Sequence, residues 1–146
     1  MKRSKRLEIV LEQAERKRKQ ADQLLADSQG RVQKGLETMQ QLEQYYAEYA
    51  NNFYANGAGG VNVQQLDTHQ AFMQKIRAAI EQQRLAIESD QQHLEKVREH
   101  WKAAYGHFKA IDSVIDKARE DERRVDEKKQ QQQIDERSQL VRTPFI

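Results

Sequence analysis

The chain has 146 residues, 25 basic and 23 acidic side chains, and 33% charged against 37% hydrophobic residues. With a mean hydropathy of -1.04, it carries too little apolar matter for a thick, close-packed globule, which argues against a compact enzyme. A net charge of only +2 names no polyanionic partner, and the absence of cysteine excludes disulfides, thiol catalysis and Cys-based zinc sites.

One proline, Pro144, and six glycines leave nearly the whole length free of backbone breakers, and Gln, Glu, Lys, Arg, Ala and Leu fill it. The expected fold is all-α: two long helices in an antiparallel coiled-coil hairpin, the second longer than the first. The first helix is expected over residues 1–55. Its apolar series reads Leu7, Val10, Ala14, Lys17, Ala21, Leu25, Ser28, Val32, Gly35, Met39, Leu42, Tyr46, Tyr49, Phe53, with one irregular step, two successive fours from Lys17 to Leu25. The turn is expected over 56–62, where Gly57, Gly59 and Gly60 let the chain reverse. Asn62 and Gln65 have the spacing of a capping box.

The second helix is expected over 63–140. A 3, 4, 3, 4 step from Leu66 passes through His69, Met73, Ile76, Ile80, Gln83, Ile87, Asp90, Leu94, Val97, Trp101, Ala104, Phe108, Ile111, Ile115, Ala118, Glu122 and Val125 without slipping. Such a 3.5-residue repeat winds helices into a left-handed coiled coil. If the arms fold back on each other, facing residues have a constant sum of numbers. Leu42 with Ile76, Met39 with Ile80, Val32 with Ile87, Leu25 with Leu94, Val10 with Phe108 and Leu7 with Ile111 all give 118 or 119.

The seam is therefore expected to be carried by Leu25, Val32, Met39, Ile80, Ile87, Leu94, Val97, Trp101, Phe108 and Ile111. Weak, loosely packed layers are expected where Ser28 faces Asp90 and Gly35 faces Gln83. Lys17 is placed to lay its ammonium on Trp101 or to snorkel to water. The first arm is used up near Ile115, so the rest of the second helix is expected to overhang, with Ala118, Val125, Ile134 and Leu140 unburied by the first. Residues 141–146 are expected to be a disordered tail.

No constellation carries chemistry, so the chain is expected not to be an enzyme and to need no cofactor or metal. His93, His100 and His107 recur every seven residues, about 10.5 Å of rise, too far apart to share one zinc ion. Glu95 and Glu99 lie on an open face, and the glycine turn lacks the Gly-Lys-Ser/Thr ending that cradles phosphate. The basic clusters at Lys2–Arg6 and Arg16–Lys19 are expected to pair across the helices, the first with Asp112 and Asp116, so no nucleic-acid partner is expected. No apolar run is long enough to insert into a membrane and no signal peptide is evident, which suits a cytoplasmic protein. Tyr45, Tyr46, Tyr49, Phe53 and Tyr54 crowd the end of the first arm. Tyr45, Tyr54 and Phe72 fall off the seam, so an exposed aromatic patch is expected near the turn.

The segments LEQYYAEY, containing Leu42, Tyr45, Glu48 and Tyr49, and HQAFMQKIRAAIEQQRL, residues 69–85, resemble the FliJ family of flagellar type III export proteins. Length, hairpin layout and the charged, glutamine-rich C-terminal extension match over essentially the whole chain. The resemblance implies a stalk-like rod similar to the γ-subunit coiled coil of rotary ATPases. Its terminal end would enter a hexameric export ATPase and promote that enzyme's assembly and activity. Its turn end would meet the cytoplasmic domain of the membrane export gate, at the cytoplasmic face of the inner membrane at the flagellar base. The family's gate-binding patch carries over to Leu42, Tyr45, Tyr49, Phe72, Ile76 and Ala79; Thr38 and Gln83 depart from its pattern, standing where glutamine and histidine are usual. Empty export chaperones, which the family helps to recycle, are further implied partners. The competing reading is a structural protein whose hairpins pair into a homodimeric four-helix bundle.

Overall fold

A computed structural model describes residues 1–142; the expected tail lies outside these from residue 143 onward. Two helices account for almost all of it: α1, Arg3–Asn56, and α2, Val63–Arg142, joined by a short 3₁₀ turn at Gly57–Gly59. There is no strand among the described residues. The fold is the antiparallel coiled-coil hairpin with the longer second helix.

The turn is built from its glycines and its cap. Gly60 takes φ 106, a conformation L side chains avoid, and its N–H donates to the Gly57 carbonyl at 3.0 Å. The capping box then opens α2: the Gln65 N–H donates to Asn62 Oδ1 at 2.7 Å, and the Asn62 N–H donates to Gln65 Oε1 at 3.2 Å. Two N–H groups that the helix start leaves without partners are satisfied reciprocally.

The chain divides into two compact units, one of Ala21–Trp101 and one of Met1–Gln20 with the chain from Lys102 onward. In the first, α2 buries His69, Met73, Ile76, Ile87 and Val97, while α1 buries Ala21 and Ser28. Leu25, Val32, Met39, Ile80, Leu94 and Trp101 are half-buried. At Gly35 the helices approach closely rather than loosely. A Cβ there would sit 3.1 Å from Ile87 Cγ1, and Gln83 Nε2 donates to the Gly35 carbonyl at 3.0 Å. The missing side chain lets a polar seam residue bond the facing backbone, which satisfies the amide of Gln83 inside the seam.

In the second unit, Ser4, Ala14, Ile115 and Ala118 are buried, and Leu7, Leu11, Arg18, Ala104, Phe108 and Ile111 are half-buried. Leu11 and Arg18 thus hold the seam positions that the sequence reading gave to Val10 and Lys17, both exposed. With them, α1 steps 3, 4, 3, 4 from Ser4 to Phe53 and the irregular step disappears. The error has a physical cause. Lys17 and Arg18 are both long cations, so residue type does not choose between them; it is the Arg18 stem that lies along apolar surface, its guanidinium 5.0 Å over the Phe108 ring. Trp101 is not the platform for Lys17; its Nε1–H donates to Asp22 at 2.6 Å.

Pairing also departs from the expected sum. Tyr49 stacks on His69 and Gln83 bonds Gly35, both close to the expected register. Phe53 on His69 and Gly35 against Ile87 sum to 122, and Ser4 on Glu122 and Arg18 on Phe108 sum to 126, so contacts run past the expected 118 along the whole hairpin. A shift by one seam step of three or four residues still leaves both apolar stripes facing, so periodicity alone cannot see it. Two corrections follow. Lys2 of the first basic cluster pairs with Asp126 at 3.2 Å, farther along α2 than Asp112 and Asp116, and Glu8 pairs with Arg119 at 2.8 Å. Ala118, at 6% exposure, belongs to the packed seam, and the overhang starts near Glu127 instead of after Ile115. Every side chain from Arg123 to Val141 is exposed.

The start of α1 is tied down by α2. The Ser4 N–H and hydroxyl donate to Glu122 Oε1 and Oε2 at 3.1 and 2.7 Å, placing a carboxylate at the positive end of a helix dipole. The Ser4 hydroxyl, then its backbone N–H, hold the Glu122 carboxyl below its ordinary 4.5. A carboxyl whose pKa falls on folding contributes stability above its ordinary value and loses it as pH drops through the lowered one. Acidification from the ordinary carboxyl value down through the lowered one is therefore expected to release the first turn of α1, seen as faster amide exchange at Ser4 and its neighbours. In Glu122→Gln that acid-dependent loosening is absent; if it persists unchanged, another group controls the turn.

Candidate functional site

The aromatic residues of the turn-proximal unit form one continuous cluster. The Tyr49 and Phe72 rings are 4.5 Å apart between centroids, Tyr45 lies 6.3 Å from Phe72 at 73°, and Tyr45 and Tyr49 are 6.4 Å apart. These edge-on and tilted geometries suit ring quadrupoles. Helical spacing produces the cluster. Tyr45 and Tyr49 are one turn apart on α1, and Phe72 lies on α2 beside the seam, so three rings meet at the edge of the helix pair. Tyr45 is 49% exposed and Tyr54 75%, whereas Phe72 and Tyr49 are half-buried. Arg77 adds a polar edge, donating from Nε and Nη2 to the Tyr46 hydroxyl at 3.0 and 2.8 Å.

Of the residues carried over from the resemblance, Tyr45 presents the most surface and Leu42, Tyr49, Phe72 and Ala79 present part of theirs. Ile76 is only 6% exposed, so it supports this face from within the seam. His69 was placed in the seam by periodicity, but its company could not be read from spacing. It lies between Phe53, with centroids 3.6 Å apart, and Tyr49, at 5.2 Å, stacked on both. It is 8% exposed, and its Nδ1 has no hydrogen-bond partner. Beside this stack, at the turn, lies a cleft of about 590 Å³.

Other chemistry is sparse. Among the described residues no group of three His, Asp or Glu side chains is placed to hold a metal ion. No helix among them is long and apolar enough to cross a membrane. Charged side chains such as Glu81, Arg84 and Glu88, or Glu120, Arg123 and Glu127, pair along one face of α2 at i,i+3 and i,i+4 spacing, which supports the helix.

A helical hairpin whose distinctive features are an aromatic edge, a cleft at the turn and an exposed helical extension is a protein of contact surfaces. The flagellar FliJ protein family model matches residues 3–142, and the chain belongs to that family. This is a family of non-enzymatic, flagellar export-related proteins. No curated protein and no solved structure matches the chain.

Proposed function

We propose that the chain works as a stalk-like cytoplasmic component at the flagellar base, promoting assembly and activity of the hexameric export ATPase and linking it to the membrane export gate. Leu42, Tyr45, Tyr49, Phe72 and Ala79 form the gate-binding face, with Ile76 beneath it. The terminal unit and the extension beyond Glu127 engage the ATPase, and empty export chaperones are further partners to be recycled. The reading is carried by one observation. Tyr45, half exposed, and Phe72 lie off the seam positions, and aromatic anchors of this kind dominate protein interfaces.

The ordered pairing sets the test for the other end. A chain ending at Glu127 keeps Ile115, Ala118 and the Ser4–Glu122 clamp, so its melting temperature is expected to stay within about 2 °C of the full chain. Its stimulation of the export ATPase is expected to be lost while gate binding is retained. Full stimulation by the shortened chain would remove the extension from the ATPase contact.

A further inference from the structure

We infer that the cleft at the turn binds an uncharged, extended peptide segment of another protein, one apolar side chain resting on the Phe53, His69 and Tyr49 stack. The cleft shares only Tyr49 with the proposed gate-binding face, and the inference does not depend on that face.

Charge is the first argument. In a chain that is 33% charged, Asp67 is the only Asp, Glu, Lys or Arg between Tyr49 and Gln74, and it does not line the cleft. A charged ligand entering there would give up hydration with no oppositely charged Asp, Glu, Lys or Arg side chain to meet, a costly exchange. What lines the cleft instead are aromatic rings below and the amides Asn52, Asn56, Asn62, Gln64 and Gln65 around them. Rigid aromatics supply contact area at little entropic cost, and short amides adapt their hydrogen bonds, the combination that serves peptide and protein recognition in binding loops. A volume of about 590 Å³ holds a side chain together with its flanking peptide groups.

The capping box supplies the polarity. It engages the side-chain oxygens Asn62 Oδ1 and Gln65 Oε1, which leaves the two NH₂ groups as the donors those side chains can offer. Donors in this position select carbonyl oxygens, the acceptors that every peptide backbone repeats. Beneath them His69 is nine-tenths buried with Nδ1 unpaired. That nitrogen is closed off from solvent, so His69 contributes its stacked ring to the cleft floor and no hydrogen bond to a ligand. A lipid surface fits less well, because the rim is amide-rich and lacks the Lys and Arg that draw a segment to headgroups.

Gln65→Glu is the discriminating variant. A glutamate at this position of the capping box still accepts the Asn62 N–H and suits the positive end of α2, so the fold is kept. The NH₂ donor is lost and a negative charge enters the cleft. The full chain is to be applied to an immobilised array of random heptapeptides, and the selected peptides measured against wild type, Gln65→Glu and Asn52→Asp. The expected result is enrichment of peptides with one aromatic or aliphatic residue among uncharged neighbours. Binding falls at least tenfold in Gln65→Glu with an unchanged or raised melting temperature, and falls likewise in Asn52→Asp. No enrichment, enrichment of charged peptides, or binding by both variants as tight as wild type overturns the inference. So does binding to phosphatidylcholine vesicles, or concentration-dependent dimerisation, that Gln65→Glu abolishes without any peptide selection. Those outcomes assign the cleft to lipid or to a second copy.

Discussion

Ile115→Ala is expected to destabilise the chain by about 2–5 kcal/mol, the range for truncating a large buried aliphatic side chain. Ile115 is fully buried, at 0% exposure, and it stands in the terminal unit with buried Ala118 next on the same face. Removing its outer atoms loses their transfer energy and leaves a gap that two helices already in contact cannot close without shifting. The control is its neighbour. Val114 is 41% exposed, and Val114→Ala is expected to change stability by no more than about 0.5 kcal/mol. Urea unfolding of the full chain followed by circular dichroism compares the two. Equal midpoints would mean that the terminal unit is not packed as described and that pairing ends before Ile115.

The second large effect concerns recognition. Tyr45→Ala and Phe72→Ala are each expected to weaken binding to the cytoplasmic domain of the export gate at least tenfold, or about 1.4 kcal/mol. Tyr45 is on the surface and touches Phe72 by ring edge alone, so its removal leaves the seam intact and helicity unchanged. Phe72 also supports Tyr49 at 4.5 Å, so its loss disturbs the face more widely and is expected to be the larger of the two. Stimulation of the export ATPase is expected to survive both. Isothermal titration with the gate domain, alongside hydrolysis assays, separates the two functions. Simultaneous loss of both would mean that the ends of the hairpin do not divide the work.

The α2 seam was legible because its apolar stripe is nearly pure. From His69 to Glu122 every position of the sequence series is buried or half-buried. The ends of that series were not. Leu66 and Val125 fit the period but are exposed, since a stripe says which face a residue takes and not whether anything covers it. On α1 the stripe is diluted by Ser4, Ala14, Arg18, Ala21 and Ser28, and residue type does not tell the arginine stem in the seam from the lysine beside it until Phe108 is seen beneath it. The turn cleft was invisible for a different reason. Asn, Gln and Gly near a turn signal chain reversal, and their convergence around Phe53 and His69 exists only once α1 and α2 are side by side. Gate-facing positions came from resemblance; periodicity had put Leu42, Tyr49 and Ile76 in the seam, and only Ile76 is fully enclosed there.

The two helices contribute unequally to what is enclosed. On α1 the buried side chains are Ser4, Ala14, Ala21 and Ser28, all small; on α2 they are His69, Met73, Ile76, Ile87, Val97, Ile115 and Ala118, mostly large. The most enclosed positions are thus small on one helix and mostly large on the other. Tolerance to mutation should therefore be lopsided: enlarging α1 at these four places wedges the strands apart, whereas on α2 it is shrinkage that does the damage. In any collection of functional variants the two halves would obey opposite size limits, and a swap of matching segments between them would satisfy neither.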